Sequence, residues 1–237
     1  MFNFAKQPIC MNKKIKMVVF DMAGTTVNED NIVYKTVQKA INEAGFDFTL
    51  DQVLAQGAGK EKLEAIKSIL KTYADNTDED LANDIYNNFS AQLTDAYNHA
   101  AIIPQPNTIE LFAILKERGI FAVLNTGYRR PVAQSIIDKL GWIEGTDYDE
   151  LVTATDVTGG RPSPDMIQFA ADKFSISTSD VIKVGDSIID IEEGRNAGCA
   201  LSIGVTTGAH TAEQLRSANP AHIIDNLMEL LPIIDNY

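Results

Sequence analysis

Residues 17–20 (Met, Val, Val, Phe) form a short apolar run without alternation, the pattern of a strand covered on both faces. The following stretch has a different period. Tyr34, Val37, Ile41 and Ala44 recur at helical spacing and stop at Gly45. Leu63, Ile66 and Leu70 mark a second helix, and Leu81, Ile85, Phe89 and Leu93 a third. From about 29 to 99 there is no strand pattern, which predicts a small helical unit. Beyond it, strands and helices alternate. Helices are predicted over 108–118, 131–140, 164–174 and 188–197, three of them followed by Gly119, Gly141 and Gly198. Strands are predicted over 120–124, 151–152, 181–184 and 201–205, with further helices near 211–217 and 226–234.

Strands alternating with helices imply a parallel sheet with right-handed crossovers. The fold class is therefore α/β: a Rossmann-like parallel-sheet core with an inserted α-helical cap. Residues 11–27 and 104–237 form the core, and residues 28–103 the cap. Pro104 and Pro106 mark the return from cap to core. Residues 1–10 read as a disordered extension, with Met11 as the natural start.

Composition narrows the partners. The chain has 237 residues, 45% of them hydrophobic, enough for a core domain plus a modest insert. Its net charge of −13 argues against nucleic-acid backbones and anionic membranes. It leaves room for small anionic substrates, because a metal ion and a few basic groups dominate the field inside a pocket. Cys10 and Cys199 are the only cysteines, which suits a reducing cytoplasm better than a disulfide framework. No apolar stretch approaches the roughly 20 residues of a membrane span.

In open parallel sheets, ligands bind beyond the carboxyl ends of the strands. Four motifs fall there: Asp21 after the first strand; Asn125-Thr126-Gly127-Tyr128-Arg129; Gly159-Gly160-Arg161-Pro162-Ser163-Pro164; and Gly185-Asp186-Ser187 with Asp190. Mg²⁺ prefers hard oxygen ligands and often sits between carboxylates and a phosphate. Asp21, Asp186 and a main-chain carbonyl near Ala23 can supply such ligands, with Asp190 as a further ligand or an outer partner. Thr126 and the amides beside it can hold phosphoryl oxygens, and Arg161 can neutralise transition-state charge. Asp21 can also act as nucleophile. Each residue alone has an ordinary alternative, as a strand-end carboxylate, a turn residue, a solvated arginine or a helix first-turn acid.

The run Asp21-Met22-Ala23-Gly24-Thr25 resembles the first motif of the haloacid dehalogenase superfamily of phosphoryl-transfer enzymes. Most phosphatases of that superfamily carry a second Asp where this chain has Ala23, and that acid protonates the leaving oxygen. The alanine, together with Thr126-Gly127-Tyr128-Arg129 and Gly160-Arg161-Pro162-Ser163-Pro164-Asp165-Met166, is similar to the phosphonoacetaldehyde hydrolase (phosphonatase) family. The resemblance continues through Gly185-Asp186-Ser187 and on to Gly198. It implies a Mg²⁺-dependent hydrolase that cleaves the carbon–phosphorus bond of a small phosphonate such as phosphonoacetaldehyde. The route is an aspartyl-phosphate on Asp21 together with a Schiff base on a cap lysine. The iminium takes up electrons that a carbanion holds poorly, so no second Asp is needed.

By the same resemblance Asp21, Lys60 and Arg161 are catalytic. Thr126, Gly127, Tyr128 and Arg161 bind substrate. Asp21, Ala23, Asp186 and Asp190 surround the metal. Lys60 follows the loop Gln56-Gly57-Ala58-Gly59, and an ordinary solvated lysine is its alternative, the role assigned to Lys62, Lys67 and Lys71. The family's His three residues after the lysine is Leu63 here, its Met before the loop glycine is Gln56, and its Cys after the first motif aligns with Asn31. A phosphomonoesterase acting on a small phosphate ester is the alternative function, and a silent binding protein on the same scaffold a third. The family also implies a homodimer through the cap, with Tyr34 and Ile41 as contact residues. His99, His210 and His222 read as structural or surface residues, with His210 in a loop that can approach the site.

Overall fold

The computed structural model describes residues 14–237. The predicted extension at 1–10 and the start at Met11 lie outside that range. A six-stranded, all-parallel sheet in the order β5-β4-β1-β6-β7-β8 forms the core. Its strands are β1 (Met17–Asp21), β4 (Phe121–Thr126), β5 (Glu150–Thr153), β6 (Val181–Gly185), β7 (Leu201–Val205) and β8 (His222–Ile224). The apolar run of β1 is buried on both faces, as a central parallel strand requires. Phe20 packs on Phe112 of α5 (Thr108–Glu117) at 5.3 Å between ring centroids.

The remaining core helices, α6 (Arg130–Leu140), α7 (Asp165–Lys173), α8 (Ile188–Asn196), α9 (Ala212–Ser217) and α10 (Leu230–Asp235), return between strands or follow β8. Strand β8 has no counterpart in the apolar pattern, because its three residues are too few to show a period and His222 at its start is exposed. The predicted helix over 226–234 is a single 3₁₀ turn at Leu227–Glu229 that runs into α10.

Four helices make the cap: α1 (Ile32–Glu43), α2 (Leu50–Gly57), α3 (Lys62–Ala74) and α4 (Glu79–His99). Helix α2 is one more than the apolar spacing indicated. It is short, and Val53 and Gly57 are its only buried residues, but a capping box between Thr49 and Gln52 defines its start. Tyr34 and Ile41 are buried against the rest of the cap, so neither is available for a dimer contact. Two short strands, β2 (Val27–Asn28) and β3 (Ile103–Pro104), pair antiparallel where the chain leaves and re-enters the core. A two-stranded clasp thus joins the chain on either side of these four helices, which no periodicity could disclose.

Candidate active site

Parallel register brings the motif residues together. Asp21 at the end of β1 lies beside Asn125 of β4, and Phe20 beside Val184 of β6, so Asp186 follows directly on the other flank. Asp21, Asp186 and Asp190 are buried, and one carboxylate oxygen from each lies within 4.8 Å of the others. Asp186 is seated by its surroundings. Its carboxylate accepts a hydrogen bond from the Ala209 amide at 2.6 Å. A β-carbon at Gly24 or Gly208 would overlap it. Asp190 sits at the third helical position of α8, where its Oδ2 accepts from the Ser187 hydroxyl (2.5 Å) and amide (3.2 Å) in a capping box.

Arg161, from the loop before α7, reaches into this cluster with its side chain 3% exposed. It lies 2.7 Å from Asp21, 3.1 Å from Asp190 and 3.3 Å from Glu193, and donates to the main-chain carbonyl of Asn125 at 2.6 Å. A second buried cation, Lys183 of β6, lies 3.2 Å from Asp190 and 3.0 Å from Glu193 and donates to the Asn125 side chain at 2.8 Å. Asn125 in turn donates to Glu193 at 2.9 Å. Burial raises the carboxyls of Asp21 and, more strongly, Asp186, which lies near both other aspartates. Burial also presses Asp190 upward, but Arg161 and Lys183 outweigh it and hold that group low.

This donor set fits a hard divalent cation. Among the described residues, four buried carboxyls (Asp21, Asp186, Asp190, Glu193) outnumber the buried cations beside them (Arg161, Lys183 and, across the cleft, Lys62), so negative charge is in excess. The oxygens of Asp190 are already engaged by Arg161, Lys183 and Ser187, which leaves Asp21 and Asp186 as the better donors and Asp190 as an outer partner.

A cleft opens over Asp21 and Asp186 and is lined also by Ala23, Thr126, Gly127, Tyr128 and Arg161 from the core. Every predicted core residue except Asp190 therefore reaches the cleft wall. From the cap come Tyr34, Gly59 and Lys62. Lys60 is not among the lining residues. Its ammonium donates to Ser68 at 2.8 Å, in a half-buried setting on the cap. Lys62, expected to be an ordinary solvated lysine, is 8% exposed. Its Nζ donates to the Lys60 carbonyl at 2.8 Å and lies 5.0 Å and 5.8 Å from the ring centroids of Tyr34 and Tyr128. Burial brings its pKa down to about 8, with Arg161 adding to the effect.

Local structure explains the exchange. Gly59 has a positive φ of 76° and packs against Ser187 and Ile189 of the core, where a larger residue would not fit. Its amide donates to the Tyr34 hydroxyl at 3.0 Å. Glu61 then caps α3 by accepting from the amides of Leu63 and Glu64. The turn carries Lys60 outward and starts the helix on Lys62, which points inward.

Lys183 and Glu193 have no site role in the sequence reading, and Lys62 is placed there among the solvated cap lysines. The first carried a signal, as the one charge inside the apolar run 181–184. His210 is buried beside the site, but its Nδ1 accepts from the Ile188 amide at 3.0 Å, a structural role at the start of α8.

A family model described as haloacid dehalogenase-like hydrolase matches residues 18–205. A phosphonoacetaldehyde hydrolase of Parabacteroides distasonis is 31% identical over 91% of this chain and 86% of its own. A bifunctional phosphonoacetaldehyde hydrolase/aminoethylphosphonate transaminase of Clostridioides difficile is 32% identical over 83% of this chain, which spans only 32% of that longer protein. Among solved structures, a phosphonoacetaldehyde hydrolase-like protein of Oleispira antarctica superposes with a TM-score of 0.79 at 23% identity, covering 94% of this chain and 92% of its own. With a buried aspartate cluster at the strand ends, a helical cap and a family match over most of its length, the chain belongs to the haloacid dehalogenase-like hydrolases.

Proposed function

We propose that this protein is a Mg²⁺-dependent phosphonatase that cleaves the carbon–phosphorus bond of a small phosphonate aldehyde such as phosphonoacetaldehyde. The observation that carries this reading is the shared cleft. The Lys62 amine and the Asp21 carboxylate line the same small space, and position 23 offers only a methyl group. An ester phosphatase needs an acid at that place to protonate its leaving oxygen. A carbon leaving group gains nothing from such an acid and needs somewhere to put electrons, which an imine on Lys62 provides.

In this reading Lys62 replaces Lys60 as the amine that condenses with the aldehyde. Asp21 forms a bond to phosphorus as the carbon–phosphorus bond breaks, and the released electron pair moves into the imine to give an enamine. Arg161, fixed by three carboxylates, faces the phosphoryl charge, and Thr126 and the neighbouring amides hold its oxygens. Mg²⁺, held by Asp21, Asp186 and the Ala23 carbonyl with Asp190 behind them, would supply positive charge to the phosphoryl group. The cap restricts water during bond cleavage, and a later water hydrolyses the aspartyl-phosphate.

Borohydride reduction in the presence of phosphonoacetaldehyde, followed by peptide mass mapping, tests the reading. The expected result is a reduced adduct on Lys62. Absence of any adduct, together with efficient Mg²⁺-dependent hydrolysis of an alkyl phosphate, would replace it with the phosphomonoesterase reading.

A further inference from the structure

Glu29 has no role in the chemistry above, yet it is costly where it stands. It lies just after β2, where the chain passes from core to cap, and is 3% exposed. Among the described residues it has no ion-pair partner. Its carboxylate accepts a side-chain hydrogen bond from the Tyr97 hydroxyl of α4 at 3.0 Å and a backbone one from Val33 in the first turn of α1. A buried carboxyl without a partner cation is expensive and calls for a reason.

Its surroundings connect it to the cleft. The Tyr97 ring stands edge-on to Tyr128 with 6.4 Å between centroids, and Tyr128 is one of the two rings beneath the Lys62 ammonium. The charged and titratable groups facing Glu29 are Tyr97 from α4, Lys62 from α3, Tyr34 from α1, Tyr128 from the loop after β4 and, farther off, Asp21 from β1. Lys62 is the basic one among them.

We propose that Glu29 is the proton partner of Lys62, a positioning residue that takes up the ammonium proton and later returns it. The inference rests on Lys62 being the reacting amine. The Lys62 ammonium loses a proton that ends on the Glu29 carboxylate. The freed lone pair forms the C–N bond to the aldehyde carbon, giving a neutral carbinolamine. The proton then returns from the Glu29 carboxyl to the carbinolamine oxygen, which leaves as water. The products are the iminium and the restored carboxylate, so protons and charge balance.

Magnitudes favour this pairing. Burial pushes Glu29 up to about 7 against the Tyr97 hydrogen bond, and burial brings Lys62 down to about 8. Groups one unit apart exist as neutral acid plus neutral amine about a tenth of the time, whereas an ordinary glutamate and lysine do so roughly once in a million. The pair titrates together, so its pH profile belongs to both groups.

The test compares two reagents on the intact protein. Acetic anhydride needs only the Lys62 lone pair; acetaldehyde needs the lone pair and then a returned proton. Removing the Glu29 charge frees the amine, so Glu29→Gln should raise anhydride labelling of Lys62 at pH 7 by about threefold, the ratio for a half-unit drop in pKa. The same variant should slow borohydride-trapped imine formation with acetaldehyde by about a hundredfold. Should Glu29→Gln not fold, Tyr97→Phe, which keeps both charges and removes the hydroxyl, should also slow imine formation. Opposite responses to the two reagents support the pair. Responses of the same sign, or none, overturn it. If Lys62 forms no adduct with any aldehyde while its labelling still depends on Glu29, the imine reading fails and the coupling remains. If adducts form at wild-type rate in both variants, the Glu29 role fails and the imine reading remains.

Discussion

Lys62 donates its ammonium hydrogen bond to the main-chain carbonyl of Lys60, so two lysines two residues apart are divided between cleft and cap surface by one turn. Only Lys62 lines the cleft over Asp21. Lys62→Arg should therefore lower kcat/KM for phosphonoacetaldehyde by about a thousandfold or more, because a guanidinium forms no imine. Lys60→Arg should leave it within about threefold, its Ser68 contact being replaceable. Steady-state kinetics of the two variants decide between the lysines.

Lys183 has no exposed surface and holds Asp190 and Glu193. Lys183→Met leaves both carboxylates short of a cation, and breaking a buried pair from one side costs about 3–5 kcal/mol. Urea unfolding at neutral pH should show a loss of that order. Adding Glu193→Leu should recover part of it, since the second charge is then removed as well.

Gly208 has no room for a side chain against Asp186. Gly208→Ala should displace that carboxylate and weaken Mg²⁺ binding by about 10- to 100-fold. Isothermal titration with Mg²⁺ gives the affinity directly. Thermal unfolding should show a Mg²⁺-dependent rise in Tm for the wild type that the variant lacks at equal concentration.

Glu29 makes stability depend on pH. Its folded pKa, about 7, lies above its ordinary 4.5, so as pH rises the unfolded chain gives up this proton first. Folding stability should fall between about pH 4.5 and 7 from this group and level off above it, by at most about 3 kcal/mol. Glu29→Gln should remove that slope, which denaturant titrations across the range would show. Lys62 acts in the opposite sense at higher pH. Its folded pKa of about 8 lies below 10.5, so its contribution to stability rises between about pH 8 and 10.5.

The core was legible because its signals are local. An unbroken apolar run at 17–20, glycines after successive helices and carboxylates at strand ends are each readable over a few residues. The parallel register then does the assembling, since every strand delivers its carboxyl end to the same edge. Thus Asp21, Thr126, Arg161 and Asp186 came together as their positions required. The cap was less legible. Helix α2 buries too little to show a stripe, and the β2–β3 clasp consists of two residues on each side. The lysines at 60 and 62 were indistinguishable, because the choice between them depends on Gly59 fitting against Ile189, about 130 positions away along the chain.

The chain by itself determined the fold class, the aspartate at the end of the first strand, the carboxylate cluster and the alanine at position 23, because each depends on residue type at a strand end. Tertiary structure alone decided which lysine enters the cleft, which cations hold Arg161's carboxylates, and that Glu29 lies buried near Lys62. Those are properties of burial and of distance between segments far apart in sequence, and neither burial nor distance is written into the neighbours of a residue along the chain.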